Sequence, residues 1–82
     1  MANFSLKTKF SVDGEKYLLS TVKLPWCYNL SYETMLFRLN SADEIIYKDL
    51  YCQKYCTQQE AEAAHKYLLL CVEHGERFWE ND

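Results

Sequence analysis

Residues 57–75 read TQQEAEAAHKYLLLCVEHG, a segment that opens on a Thr-x-x-Glu pair and closes on a glycine. Thr57 and Glu60 have the spacing of a capping box, in which the Thr hydroxyl accepts from an amide one turn ahead and the Glu carboxylate reaches back to the Thr amide. A helix is therefore expected to start at Gln58, with Gly75 as its stop. Ala61, Ala64, Leu68, Cys71 and Val72 recur every three or four residues and form a stripe suited to cover a sheet. Ala63, Tyr67 and Leu70 fall on a different face, set off on one side by Glu62, Lys66 and Glu73. One small sheet cannot bury both stripes, so this second face or an open sheet edge is expected to meet another copy of the chain, giving a homo-oligomer.

Upstream of the helix the pattern has the period of strands. In NFSLKTKFSV (3–12), Phe4, Leu6, Thr8 and Phe10 lie on one side, with Ser5, Lys7 and Lys9 on the other. Asp13-Gly14 turns the chain, because Gly accepts positive φ and Asp tolerates it. EKYLLSTVKL (15–24) returns as far as Pro25, which has no amide to donate and ends the pairing. An aromatic connection, PWCYNLS (25–31), precedes a third strand from Tyr32 to Leu39, where Glu33, Met35, Phe37 and Leu39 alternate with Tyr32, Thr34, Leu36 and Arg38. After the turn NSAD, residues 44–55 (EIIYKDLYCQKY) form a long fourth strand, bent or broken near Asp49. Met35, Phe37 and Ala61 are assigned to the core between the third strand and the helix. The expected fold is α+β: one domain over 1–82, a four-stranded, mainly antiparallel sheet with one helix across a face, in the order ββββα. In the tail, ERFWEND (76–82), Phe78 and Trp79 either fold back on the sheet or serve as a contact arm.

A chain of 82 residues buries only about 60 to 65% of the surface that its unfolded form exposes. With 16% aromatics, including seven Tyr and two Trp, some rings are expected in an interface or a ligand pocket. Residues 1–30 carry four Lys against two acids, and residues 57–82 carry six acids against two bases. No basic stripe is present, which argues against binding of DNA or RNA duplexes. No run approaches the roughly 20 apolar residues of a membrane span, and MANFSLKTKF lacks the apolar run of a signal peptide, so a cytoplasmic chain with reduced cysteines is expected.

Cys52, Cys56, His65 and Cys71 can be drawn as a zinc tetrahedron, but structural zinc ligands usually come in close pairs at a turn, and Cys52 and Cys56 are four apart on a strand. Cys71 fits the helix stripe as a small hydrophobe. A Cys nucleophile with a His base lacks an oxyanion loop, and His65 is better read as a partly buried imidazole bonded to a strand carbonyl. No enzyme activity, metal or cofactor is expected. A binding site is better supplied: Trp26, Tyr28, Tyr47 and Tyr51 can stack on a base, and Arg38, Lys48 or Lys54 can hold a phosphate.

YETMLF (32–37) followed by YCQKYCTQQEAEAAHKYLL (51–69) resembles a family of small phage-encoded proteins with an E-T-M-apolar-F strand and a downstream Y-x-T-x-x-E-A segment bearing a His on the same helix. The resemblance covers residues 32–69 and falls on Glu33, Thr34, Met35, Phe37, Tyr55, Thr57, Glu60, Ala61 and His65. Members of that family often carry Gly just before the His, where this chain has Ala64. Capping accounts for Thr57 and Glu60. Glu33, Thr34 and His65 are left over, and His65 is expected to bond the Glu33 carboxylate as a buried clamp or as the polar end of a pocket. The resemblance implies an accessory protein in the host cytoplasm that counters antiviral defence. Such a protein would capture a small nucleotide signal, cyclic forms included, without cleaving it. Alternatively it would bind a host defence nuclease or effector, or serve as a minor phage structural component.

Overall fold

The computed structural model describes residues 4–25 and 30–80; Trp26, Cys27 and Tyr28 lie outside the described residues. Asp13 and Gly14 both take positive φ, 51° and 81°, and make the two-residue turn between β1 (Ser5–Val12) and β2 (Glu15–Lys23). β3 (Tyr32–Leu39) and β4 (Ile45–Tyr55) complete an antiparallel sheet in the order β1-β2-β3-β4. Asn40 shapes the turn before β4, its side-chain oxygen accepting from the amides of Ala42 and Glu44 at 2.9 and 3.0 Å.

α1 spans Gln58–Glu73 and is capped as its sequence implies. The Thr57 hydroxyl accepts from the Glu60 amide at 3.1 Å, and the Thr57 amide donates to the Glu60 carboxylate at 3.2 Å. Gly75, at φ 84°, closes the other end: its amide donates to the Val72 carbonyl at 3.0 Å and the Glu76 amide to the Cys71 carbonyl at 2.9 Å. These two bonds satisfy carbonyls that the end of a helix otherwise leaves bare.

α1 crosses one face of the sheet. Tyr17, Leu19, Leu36 and Leu68 form the centre of that core, with Phe10, Val12, Tyr51, Leu69, Phe78 and Trp79 packed around them. Burying Leu19 and Leu36 completely stabilises the fold by about 1.5–3 kcal/mol each. A 3-10 turn at Phe78–Glu80 brings the tail back over this core. The Trp79 ring lies 4.8 Å from Tyr17 and 5.0 Å from Phe78, and Phe78 meets Tyr51 edge to face at 4.9 Å. Arg77 pairs with Asp13 in the β1–β2 turn and fastens the tail there.

The assignment of Met35 and Phe37 to the helix-side core is corrected by the register. Thr21 pairs with Thr34 and Leu19 with Leu36, and these residues face α1; Met35 pairs with Ser20 and Cys52, and Phe37 with Leu18 and Asp49, on the opposite face. β3 is apolar on both of its faces, so alternation alone does not say which side meets the helix. That choice is made by the hydrogen bonds of α1 to the threonines.

The face turned away from α1 forms a grid. Reading from β1 to β4, its rows are Ser5-Val22-Glu33-Lys54, Lys7-Ser20-Met35-Cys52, Lys9-Leu18-Phe37-Asp49 and Ser11-Lys16-Leu39-Ile45. The break expected near Asp49 is present as a bulge: the register with β3 skips Leu50 and then Tyr47 and Lys48.

Candidate functional site

α1 and the sheet enclose a row of polar side chains. His65 is 4% exposed, where Ala64 on the expected core stripe is only half-buried. One imidazole nitrogen, Nδ1, lies 2.7 Å from the Thr21 hydroxyl, and the other, Nε2, lies 3.0 Å from that of Thr8. The Thr21 hydroxyl is in turn 2.6 Å from the Thr34 hydroxyl. Tyr55 stands beyond Thr34 at the edge of the row; burial, then the neighbouring Tyr51, push its pKa up to about 12. The hydroxyl of Tyr55 therefore stays protonated across the physiological range.

The partners of His65 differ from both expectations. It bonds two threonine hydroxyls rather than a strand carbonyl, and it does not meet Glu33. Strand parity is the reason: Glu33 is one residue from Thr34 and so points to the other side of the sheet. There its carboxylate accepts from the Cys52 thiol at 3.4 Å and lies 4.0 Å from Lys54. Thr8 and Thr21 were the residues missed as partners. Their signal was a threonine at an inward position on each of three neighbouring strands, facing the one helix position that carries a His.

A threonine hydroxyl 2.7 Å from an imidazole has the geometry of a nucleophile and its base. Here both partners are buried, Thr21 completely, so no substrate atom reaches the hydroxyl. The row is a clamp between α1 and three strands, β1, β2 and β3. Neutral imidazole donates from one nitrogen and accepts at the other. If Nδ1 donates to Thr21, then Thr21 donates to Thr34 and Thr8 donates to Nε2. If Nε2 carries the proton, every bond reverses.

Burial holds the His65 pKa below the usual range. The native state then binds fewer protons than the unfolded state below the unfolded value of about 6.5. Stability that is full above that pH is lost as pH falls from about 6.5 toward the lower folded pKa, with a slope of at most about 1.4 kcal/mol per pH unit. The melting temperature is expected to fall between pH 7 and pH 5 more steeply for the parent chain than for His65→Asn. Parallel curves would show that His65 carries no such charge penalty.

The other expected site residues are dispersed. Arg38 lies at the β1–β2 turn end, paired with Glu15 at 2.7 Å. Lys16 pairs with Asp43 at 2.9 Å beside it, and Lys16 and Arg38 both line a hollow of about 340 Å³ with Gly14, Asn40 and Ser41. Tyr47 is 92% exposed, because it sits in the part of β4 that the register skips. Tyr51 packs on Phe78, on the helix side. Glu33 is on the open face, and Thr34 and His65 are buried in the row. Trp26 and Tyr28 lie outside the described residues. Cys52 and His65, drawn together as metal ligands, face opposite sides of the sheet. Among the described residues no group of three or more His, Cys, Asp and Glu is placed to hold a metal ion, and no helix is long and apolar enough to cross a membrane.

The outer face of α1 presents Tyr67 and Leu70, 64% and 51% exposed and three residues apart. Glu62, Lys66 and Glu73 share the solvent side of the helix, and Glu76 follows it. Comparisons with protein-family models, with curated proteins and with solved structures gave no match.

Proposed function

We propose that this chain is a non-enzymatic binding protein that acts by occupying a protein partner with the outer face of α1. The observation that carries the reading is the exposure of Tyr67 and Leu70 on adjacent turns of a helix whose other face is fully used. A tyrosine and a leucine at i and i+3 are the anchors of a helix laid in a groove. Their acidic surroundings favour a partner with a basic rim. The resemblance to small phage-encoded proteins adds the class of partner: a host defence nuclease or effector met in the host cytoplasm.

The test is retention of a host protein on the immobilised chain, identified by mass, and its loss on Tyr67→Ala with Leu70→Ala. Both side chains are exposed, so the double variant is expected to keep the parental melting temperature while losing the partner. Retention of the same protein by the double variant would overturn the reading.

Capture of a small nucleotide is the second reading, and one observation favours it: the hollow lined by Arg38 and Lys16, whose volume is near the lower limit for small-ligand sites. Both cations already have carboxylate partners, so a phosphate would have to displace Glu15 or Asp43. A nucleotide at a hundredfold excess over its Kd would stabilise the fold by about 2.7 kcal/mol. A thermal-shift series over cyclic and linear nucleotides reads this directly, and recovery of intact ligand separates capture from cleavage.

A further inference from the structure

The open face of the sheet has the pattern of a surface that is covered. An antiparallel sheet with one face in water carries polar residues on that face. Here the two central strands put Leu18, Met35, Phe37 and Leu39 there, with Leu18 and Leu39 already buried by their neighbours. The flanks are charged with opposite signs in the central row. β1 carries Lys7 and Lys9, and β4 carries Asp49 opposite Phe37. Among the described residues, none of Lys7, Lys9 and Asp49 enters the ion pairs of the fold, which join Lys16 to Asp43, Arg38 to Glu15, Lys54 to Glu33, and Arg77 to Asp13 and Glu80.

We infer that a second copy of the chain covers this face, with the two-fold axis running along the strands. When one sheet face packs on itself with the strands aligned, two in-plane two-fold axes are allowed, across the strands and along them. An axis across the strands lays β1 on the partner's β1 and sets Lys7 and Lys9 against lysines. An axis along the strands lays β1 on β4 of the second copy. The row Lys9-Leu18-Phe37-Asp49 then meets its own reverse, Lys9 against Asp49 and Leu18 against Phe37, twice in each dimer. Lys7 comes over Cys52, one row from Glu33. Charge complementarity selects the second axis, because like charges set face to face cost affinity. Sheets packed in this way cross at about 30° and keep the rows in reach of each other. The two helices lie on the outer surfaces of the dimer, so this inference is independent of what α1 binds.

The experiment is the mass in solution by sedimentation over a concentration series. The parent chain is expected at twice its 9.8 kDa. Lys9→Glu and Asp49→Lys should each weaken the dimer about tenfold or more, and the two together should restore it. A monomeric parent at the highest concentration would overturn the inference, as would single variants that stay dimeric. The axis has its own readout. In a chain with Cys27 and Cys56 replaced by Ser, Lys7→Cys should form a disulfide with Cys52 of the second copy on oxidation, giving a covalent dimer that is lost when Cys52 is also replaced. A covalent dimer that persists without Cys52 would assign the other axis. Lys7, Lys9, Asp49, Cys52 and Cys56 are exposed, and an unchanged melting temperature of the monomeric forms confirms that folding is not at issue.

Discussion

Thr21→Val should melt about 10–20 °C below the parent chain. The substitution keeps the shape of the side chain and removes one hydroxyl. That hydroxyl is the partner of both His65 Nδ1 and the Thr34 hydroxyl, and every described buried side-chain polar atom has a partner in the intact fold. Removing it strands a nitrogen and weakens the bonding of Thr34 in a space that water does not enter. Each orphaned buried group costs about 1–3 kcal/mol, so a total of about 2–4 kcal/mol is expected, and in a domain of this size 1 kcal/mol moves the melting temperature by about 4–8 °C. Thr8→Val should cost less, because Thr8 is only half-buried and water can take its place. The combined change His65→Leu, Thr21→Val, Thr34→Val should recover much of the loss, since a buried polar set replaced as a whole by apolar residues is often neutral. Thermal unfolding by circular dichroism decides the matter. A Thr21→Val chain within about 0.5 kcal/mol of the parent would show that the row does not hold α1 to the sheet.

The second large effect is expected at Trp79. Its ring touches Tyr17, Phe10 and Phe78, and it is the last side chain that closes the core. Fully buried Trp→Ala changes cost about 3–5 kcal/mol, and a half-buried ring should cost about 2–3 kcal/mol. The loss in a small domain is a large part of a total stability of about 5–15 kcal/mol. Trp79→Ala should therefore lower the urea midpoint sharply and remove most of the near-ultraviolet signal from packed aromatics. Arg77→Ala tests the same strap from its charged end, and its effect should be smaller, because its partners Asp13 and Glu80 are exposed. A midpoint unmoved by Trp79→Ala would mean that the tail does not belong to the core.

Much of the fold could be read from single residues with one physical role each. Thr57 and Glu60 place the start of α1, Gly75 places its end, and Asp13-Gly14 sets the first hairpin, because few residue types satisfy those backbone geometries. The facing of β3 could not be read in the same way. Met35 and Phe37 are as apolar as Leu36, and which side meets α1 depends on Thr21 and Thr8, which come from other strands. The candidate site was legible only in part for a related reason. His65 and Thr34 belong to one cluster as expected, but Glu33 is near them only in sequence, and neighbours on a strand point to opposite faces. In the sequence Arg38 stands without a nearby acid and so is expected to be available to a phosphate. Its carboxylate partner, Glu15, sits 23 residues away and becomes a neighbour only through the pairing of β2 with β3.

The polar row also bears on how such a chain can change over generations. The version with His65, Thr21 and Thr34 and an apolar version of the same positions can be of similar stability, yet each single-step intermediate between them leaves a buried polar group with fewer bonds than it has now, and the step at Thr21 strands one outright. In a protein with few kilocalories to spare, those intermediates would be degraded before a second change arrived. The row is then held in place by the valley around it rather than by being the best solution. Its members should be inherited together or lost together, and a lineage that once acquired them has little opportunity to leave.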